Sequence, residues 1–519
     1  MQAPAPVEAT GNVADLVRAS AEADAAHPAL IEVASGRRMT WGEVDAAVDA
    51  AAERFHKAGV SAGDRVVVRL SGTIEYCLAV FGVLRAGGVV VPTARGAAPR
   101  ELDVMLEASG TRLLVASSDD EEAQAHLREG MSLVEPLGPV NFPVSPVSPV
   151  SPVTGGEDLA VLAFTSGSSG TARGVMLSHR ALLANVAQCA ALRPAPVTPA
   201  DRVLLALPLF HVYGLGPGLL QVANAGATAV LAGRFDAAES LAVISAHRVT
   251  TVVGVPSMYR AWLQLEDGPL RAAFGTVRLL TSGAAPLEAS LANRFRKVTG
   301  HGIYEGYGLT ETGPVLTSTL VGGSPKPGSV GRPLPGVELR LVHPDGTPLG
   351  AGEHDDDDED DAGTGLVAAR GPNLLTGYWP DGAHGPDAEG WFRTGDVGYL
   401  DADGDLHLVD RASDLIIVNG FNVYPHEVER ALLEHPAIAQ AAAVGVPHEL
   451  AGETVRAVLV LAPGAKLTTA DLEAHCAQWL ARYKIPTSVD VVDELPVTPT
   501  GKLARRALRT LTGTPLPPT

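Results

Sequence analysis

Between residues 44 and 93 the chain switches repeatedly between two hydrophobic periods, and that alternation restricts its fold more than any other feature. "VDAAVDAAAERFHKAGV" (44–60) has apolar residues at helical spacing, and "DRVVVRL" (64–70) is a short β-branched run. "IEYCLAVFGVLRAGG" (74–88) reads as a helix ending on glycines, and "VVVPT" (89–93) as a second strand. Strands separated by helices lie parallel in one sheet, with the helices on its faces. The same texture returns in "RVLLALPL" (202–209), "ATAVLAG" (227–233), "VTTVVGVP" (249–256) and "VRLLTSG" (277–283). The fold class is therefore α/β for the larger part of the chain.

At 519 residues the chain exceeds one compact core. From about residue 330 short strands broken by Pro, Gly and Asp take over, and they read as a β-rich region. Residues 412–519 carry helix signals at 426–435 and 469–482 and strand signals at 415–419, 440–445 and 454–461. That layout suits a small α+β domain. The expected division is 1–411 and 412–519. Inside the first part, "PVSPVSPVSPV" (143–153) reads as an extended Pro/Val/Ser linker, and the acidic run around 354–362 as a solvated loop.

The net charge of −20 argues against nucleic acid or an anionic membrane surface as the main partner. No uninterrupted apolar run reaches membrane-spanning length, and the N-terminus lacks a signal-peptide layout. The three cysteines, 77, 189 and 476, are odd in number and far apart, so they imply neither a disulfide framework nor a zinc site. A soluble cytoplasmic protein is expected. Lysine occurs only at 57, 297, 326, 466, 484 and 502, so each lysine is a less casual choice than usual.

Chemistry first appears in "FTSGSSGTARGV" (164–175). Its glycines allow backbone N–H groups to turn toward an anion, its hydroxyls add donors, and Arg173 adds charge. It is nevertheless not a Walker A loop. Four further motifs follow in order: "PLFHVYGLG" (208–216), "YEGYGLTETGP" (304–314), "WFRTGDVGYLDADGDLHLVDRASDLIIVNGFNVYPHEVE" (391–429) and "LPVTPTGKLARRALR" (495–509). Together they resemble the adenylate-forming superfamily of acyl-CoA ligases, nonribosomal peptide synthetase adenylation domains and luciferase. The resemblance implies a large N-terminal domain of α/β subdomains plus a distorted β-barrel, with a small mobile C-terminal α+β domain.

It also implies a two-step reaction. A carboxylate attacks the α-phosphate of ATP to give an acyl-adenylate and pyrophosphate, and coenzyme A then displaces AMP. A free carboxylate resists thiol attack because it is anionic and lacks a leaving group; the mixed anhydride removes both obstacles. The site must neutralise polyphosphate, align the acid and exclude water.

Residue by residue, the resemblance assigns Thr165, Ser166, Gly167, Ser168, Ser169, Gly170, Thr171 and Arg173 to the β- and γ-phosphates. Gly283, Ala284, Ala285 and Tyr307 are assigned to the adenine, Gly308 to the nucleotide, Thr310 to the α-phosphate and Glu311 to Mg²⁺, which favours hard oxygen ligands. Asp396 is assigned to the ribose hydroxyls and Arg411 to ribose or phosphate. Lys502 is assigned to the carboxylate and α-phosphate during adenylation. Ser413 stands at the interdomain hinge, and Gly420, Phe421 and Asn422 face the thiol step. The chain departs from the family pattern in three places: Ala172-Arg173 replaces Pro-Lys, Asp410 stands where many members have Gly, and Ser413 replaces the hinge Asp or Lys.

His211 falls at the acyl pocket, where amino-acid-activating relatives carry an Asp. A neutral imidazole offers an ammonium no counter-charge, and Gly306 offers a second carboxylate no base. Medium- or long-chain fatty acids are favoured, and "VVGVPSMYRAW" (252–262) is expected to give apolar walls. The alternatives are a hydroxycinnamate-like aryl acid, a fatty acyl-AMP ligase that loads an acyl carrier protein, and a non-catalytic ATP-binding relative.

Overall fold

A computed structural model describes residues 4–97, 99–137, 148–166, 172–349, 363–411, 414, 416–418, 421–448, 452–480, 482–497 and 503–517. The chain divides into two compact units. One comprises Met1–Leu339 with Ala369–Phe392, the other Arg340–Ala368 with Arg393–Thr519. Residues 393–411 thus group with the C-terminal segment, whereas a division at 411 separates them from it.

The first unit holds two large sheets. In the seven-stranded sheet, Val89–Thr93 lies between Arg65–Arg69 and Leu159–Ser166, parallel to both. The Arg65–Arg69 strand is in turn parallel to Leu113–Ala116. The nine-stranded sheet has a parallel centre in the order Ile303–Gly308, Leu279–Ser282, Thr251–Gly254, Arg202–Leu205, Thr228–Leu231 and Pro28–Glu32. Antiparallel strands close both of its edges. This is the α/β architecture expected from the alternating periods.

Local chemistry explains the helices. Trp41–Lys57 starts at a capping box, in which the Thr40 hydroxyl accepts from the Glu43 N–H and the Glu43 carboxylate accepts from the Thr40 N–H. Ile74–Arg85 is apolar apart from Glu75 and Arg85 and buried at every residue but the half-buried Glu75, as suits a helix covered on nearly all faces. These two helices approach closely at Gly82, where a Cβ would lie 2.6 Å from that of Ala51. Arg85, fully buried, is held by Asp49 at 3.0 Å, which also takes Arg18 at 2.8 Å. The same Asp49 oxygen accepts the Val150 N–H at 3.1 Å, and Arg18 donates to the Val150 carbonyl at 3.1 Å. The C-terminal end of the Pro/Val/Ser segment is therefore fastened to a buried ion cluster and is not a free spacer there; its residues 143–147 lie outside the described residues.

In the second unit a four-stranded sheet runs in the order Glu338–Val342, Gly365–Arg370, Phe392–Leu400, Leu406–Arg411. C-terminal to it, Ile438–His448 and Gly452–Leu461 form a long antiparallel pair, with Ser488–Val491 added in parallel. The helices Pro425–Leu433 and Thr469–Cys476 contribute Val428, Leu432, Leu472 and Cys476 to one core with Ile416, Ala457 and Leu459. Among the described residues no helix is long and apolar enough to cross a membrane.

Candidate active site

The opening motif is a β-hairpin. Leu159–Ser166 runs antiparallel to Ala172–Ser178, with Thr165 opposite Arg173 and Ser166 opposite Ala172. Gly167, Ser168, Ser169, Gly170 and Thr171, which join the strands, lie outside the described residues, as does the Ser166 side chain. The Arg173 side chain is exposed, and its guanidinium carbon stands 5.6 Å from the centre of the Tyr378 ring. Tyr378 belongs to the two-residue strand Gly377–Tyr378, which pairs with Met176 and Val175 of the same hairpin.

The Tyr378 hydroxyl donates to Glu311 Oε1 at 2.7 Å. Glu311 sits in the 3₁₀ turn Thr310–Thr312 that follows the strand Ile303–Gly308. The turn is tight. A Cβ on Gly308 would lie 1.8 Å from the Pro314 carbonyl oxygen, so only glycine fits there. The Thr312 hydroxyl donates to the Pro314 carbonyl at 2.7 Å and accepts the Leu309 N–H at 2.9 Å. Thr165, Arg173, Thr310, Glu311 and Tyr378 are thus connected through one hairpin, one turn and the aromatic ring between them.

Beside the Tyr307 strand, Leu279–Ser282 runs parallel and leads into Gly283, Ala284 and Ala285. Ala284 has φ +65°, a left-handed conformation that alanine adopts only under strain. Tyr307 is buried, on the same face of its strand as Ile303 and Glu305. Glu305 Oε2 accepts the Leu287 N–H at 3.1 Å and so ties the end of the Gly283–Leu287 segment to the Tyr307 strand. Burial pushes the Glu305 carboxyl up to about 8. His211 is half-buried, and its Nδ1 accepts the Tyr213 N–H at 3.2 Å, which leaves the ring proton on Nε2. The Tyr213 ring packs on Gly283, whose Cβ would meet it at 2.9 Å.

In the second unit, buried Asp396 faces Arg411 across antiparallel strands. Only the backbone of Arg411, Phe421 and Asn422 is described. Ser413, Gly420 and Lys502 lie outside the described residues.

The profile described as "AMP-binding enzyme" matches residues 17–379, and that of the "AMP-binding enzyme C-terminal domain" matches 427–502. The chain belongs to the AMP-binding enzyme family. A long-chain-fatty-acid–CoA ligase of Bacillus subtilis (strain 168) is 32% identical over 518 residues, covering 91% of this chain and 90% of its own. A feruloyl-CoA synthase of an Amycolatopsis species is 35% identical over 477 residues, covering 91% and 94%. The crystal structure of ATP-bound MatB from Rhodopseudomonas palustris superposes with a TM-score of 0.86 at 30% identity, covering 96% of this chain and 98% of that one.

Within this AMP-binding enzyme, two side chains next to the assigned residues escaped the sequence reading. Tyr378 has no local signature beyond "GYWP", and its importance lies in a contact with Glu311, 67 positions earlier. Glu305 carried a usable signal, because strand alternation puts it on the inward face with Ile303 and Tyr307. One expectation fails. Met258, Tyr259 and Trp262 do not form acyl-pocket walls but pack into a core cluster with Phe274 and Phe295. The ring centroids of Tyr259 and Phe295 are 5.1 Å apart, and those of Trp262 and Phe274 are 5.2 Å apart, both edge-on.

Proposed function

We propose that this AMP-forming acyl-CoA synthetase activates a medium- or long-chain fatty acid. The observation that carries the adenylation chemistry is the cluster of Arg173, Tyr378 and Glu311, which sets a cation for phosphate beside a carboxylate for a metal. In this reading the hairpin 164–175 cradles the departing pyrophosphate. Tyr307 and the Gly283–Ala285 backbone take the adenine, Thr310 the α-phosphate, and Asp396 with Arg411 the ribose. Glu311 supplies the hard oxygen that suits Mg²⁺, and one Glu311 oxygen has no hydrogen bond among the described residues. Bound there, the metal would offset phosphate charge. Lys502 meets the developing charge as carboxylate and α-phosphate approach, and residues 412–519 turn about Ser413 to bring Gly420, Phe421 and Asn422 to the thiol step.

The fatty-acid reading is supported by a neutral His211 whose Nδ1 is already engaged, and by Gly306, which brings no base for a second carboxylate. The likeness to a long-chain-fatty-acid–CoA ligase supports it too. An aryl acid is the second reading, favoured by the 35% identity to a feruloyl-CoA synthase and by the Tyr213 ring packed on Gly283. A cytoplasmic site of action fits three cysteines that are all free and buried.

The test is a panel of fatty and aryl acids assayed for AMP release with and without coenzyme A. Coenzyme A-dependent release with C8–C18 acids supports the proposal. Release confined to aryl acids replaces its substrate, and adenylate formation indifferent to coenzyme A points to a carrier protein as acceptor. Lys502→Ala should abolish acid-dependent ATP–pyrophosphate exchange while sparing thioester formation from supplied acyl-adenylate; near wild-type exchange would sink the role given to Lys502.

A further inference from the structure

The segment from Asn373 to Trp379 is hydrogen-bonded on two sides. Toward the phosphate hairpin, Trp379 N–H donates to the Gly174 carbonyl at 2.8 Å and Thr376 N–H to the Met176 carbonyl at 3.0 Å. Toward the Thr-Glu turn, Leu375 N–H donates to the Glu311 carbonyl at 2.8 Å and Asn373 Nδ2 to the Thr312 carbonyl at 2.7 Å. The segment is therefore a clip between two elements whose residues are about 140 positions apart, and Tyr378 is the side chain that reaches both. Its two ends make different contacts. The hydroxyl holds Glu311 Oε1, and the ring face lies under the Arg173 guanidinium.

We propose that Tyr378 is a positioning residue with two separable functions: its hydroxyl fixes the orientation of the Glu311 carboxylate, and its ring shelves Arg173. The proposal rests on the assignment of Glu311 to the metal and Arg173 to the departing phosphates. A carboxylate with one oxygen held by a hydroxyl presents the other as a single ligand. Mg²⁺ suits that arrangement, since it is bound through one or two carboxylates in a strict octahedron. Second-sphere hydrogen bonds of this kind orient metal ligands.

The ring contact explains why arginine serves at 173. A planar guanidinium stacks on an aromatic face, while an ammonium is a more strongly hydrated point charge. The shelf holds a long, otherwise mobile side chain at the shoulder of the hairpin.

The experiment separates the two ends in the full chain. Mn²⁺ binding is counted by electron paramagnetic resonance in the presence of α,β-methylene-ATP, and inorganic pyrophosphate binding is measured by calorimetry without metal. Tyr378→Phe, which keeps the ring, should weaken Mn²⁺ binding about tenfold and leave pyrophosphate binding unchanged. Tyr378→Leu should weaken both, and in an Arg173→Ala background it should add no further loss for pyrophosphate. Glu311→Gln is the reference. If it leaves Mn²⁺ affinity as in the wild type, the assignment of Glu311 falls. If it weakens Mn²⁺ and Tyr378→Phe does not, that assignment stands and the role given to the Tyr378 hydroxyl is overturned. Equal pyrophosphate affinity in Tyr378→Phe and Tyr378→Leu overturns the role given to the ring.

Discussion

Replacing Glu305 with Gln tests how much stability depends on a buried carboxyl keeping its proton. Glu305 is 7% exposed, and its one described side-chain hydrogen bond comes from the Leu287 N–H. Burial disfavours the charged form and raises the carboxyl from 4.5 to about 8, with the Leu287 N–H opposing. A rise of about 3.5 pH units at 1.36 kcal/mol each is on the order of 5 kcal/mol of pH-dependent stability. The folded chain binds this proton more tightly than the unfolded chain. Its contribution is therefore full below pH 4.5, lost as pH rises to about 8, and constant above. Glutamine keeps a carbonyl for Leu287 and cannot ionise. Wild type and Glu305→Gln should therefore match near pH 4.5 and diverge as pH rises, with the variant the more stable at pH 9. Urea midpoints at pH 5, 7 and 9 give the difference between the two chains, in which all other titrating groups cancel. A difference independent of pH would refute the reasoning.

Two further substitutions probe strain and buried charge. Ala284→Gly removes a Cβ from a left-handed residue and should stabilise the chain by up to about 1 kcal/mol, read from thermal or urea denaturation. Loss of stability would mean that the Ala284 methyl packs usefully. Asp49→Ala removes one of two carboxylates from the fully buried Arg85, the other being Asp45 at 2.7 Å, and frees the Val150 N–H, so it should cost about 2 kcal/mol, and an unchanged urea midpoint would contradict that accounting.

Periodicity made the parallel sheets legible, and the capping pattern of Thr40 and Glu43 would have given the start of Trp41–Lys57 to within a residue. What stayed hidden is long-range. Pro28–Glu32 joins Thr228–Leu231, about 200 positions away, and no local pattern encodes such a pairing. Met258, Tyr259 and Trp262 show a different limit. An apolar run announces burial but not whether a ligand or a neighbouring helix buries it, and here Phe274 and Phe295 do. The hydroxyl and glycine motifs were readable because phosphate chemistry restricts residue types, whereas Tyr378 was not, because a tyrosine can hold a carboxylate from many backbone positions.

Topology also accounts for where the motifs fall within the first unit. Thr165 and Ser166 end the strand Leu159–Ser166, Gly283 follows Leu279–Ser282, and Tyr307 and Gly308 end Ile303–Gly308. Open parallel sheets bind ligands beyond the carboxyl ends of their strands, where backbone groups leave the ladder and turns bring side chains from several strands together. Ser166, Gly283 and Gly308 at these ends are small, which in the proposed reading lets backbone approach the nucleotide beside the Tyr307 ring. The charged groups must then come from just beyond: Arg173 from the return strand of the hairpin and Glu311 from the next turn. Such groups start from different elements and have no common backbone to align them. A rigid aromatic ring contacting both is a direct physical solution, and if Tyr378 acts as proposed, the arginine at 173 is a fitted choice for this chain instead of a weakened lysine.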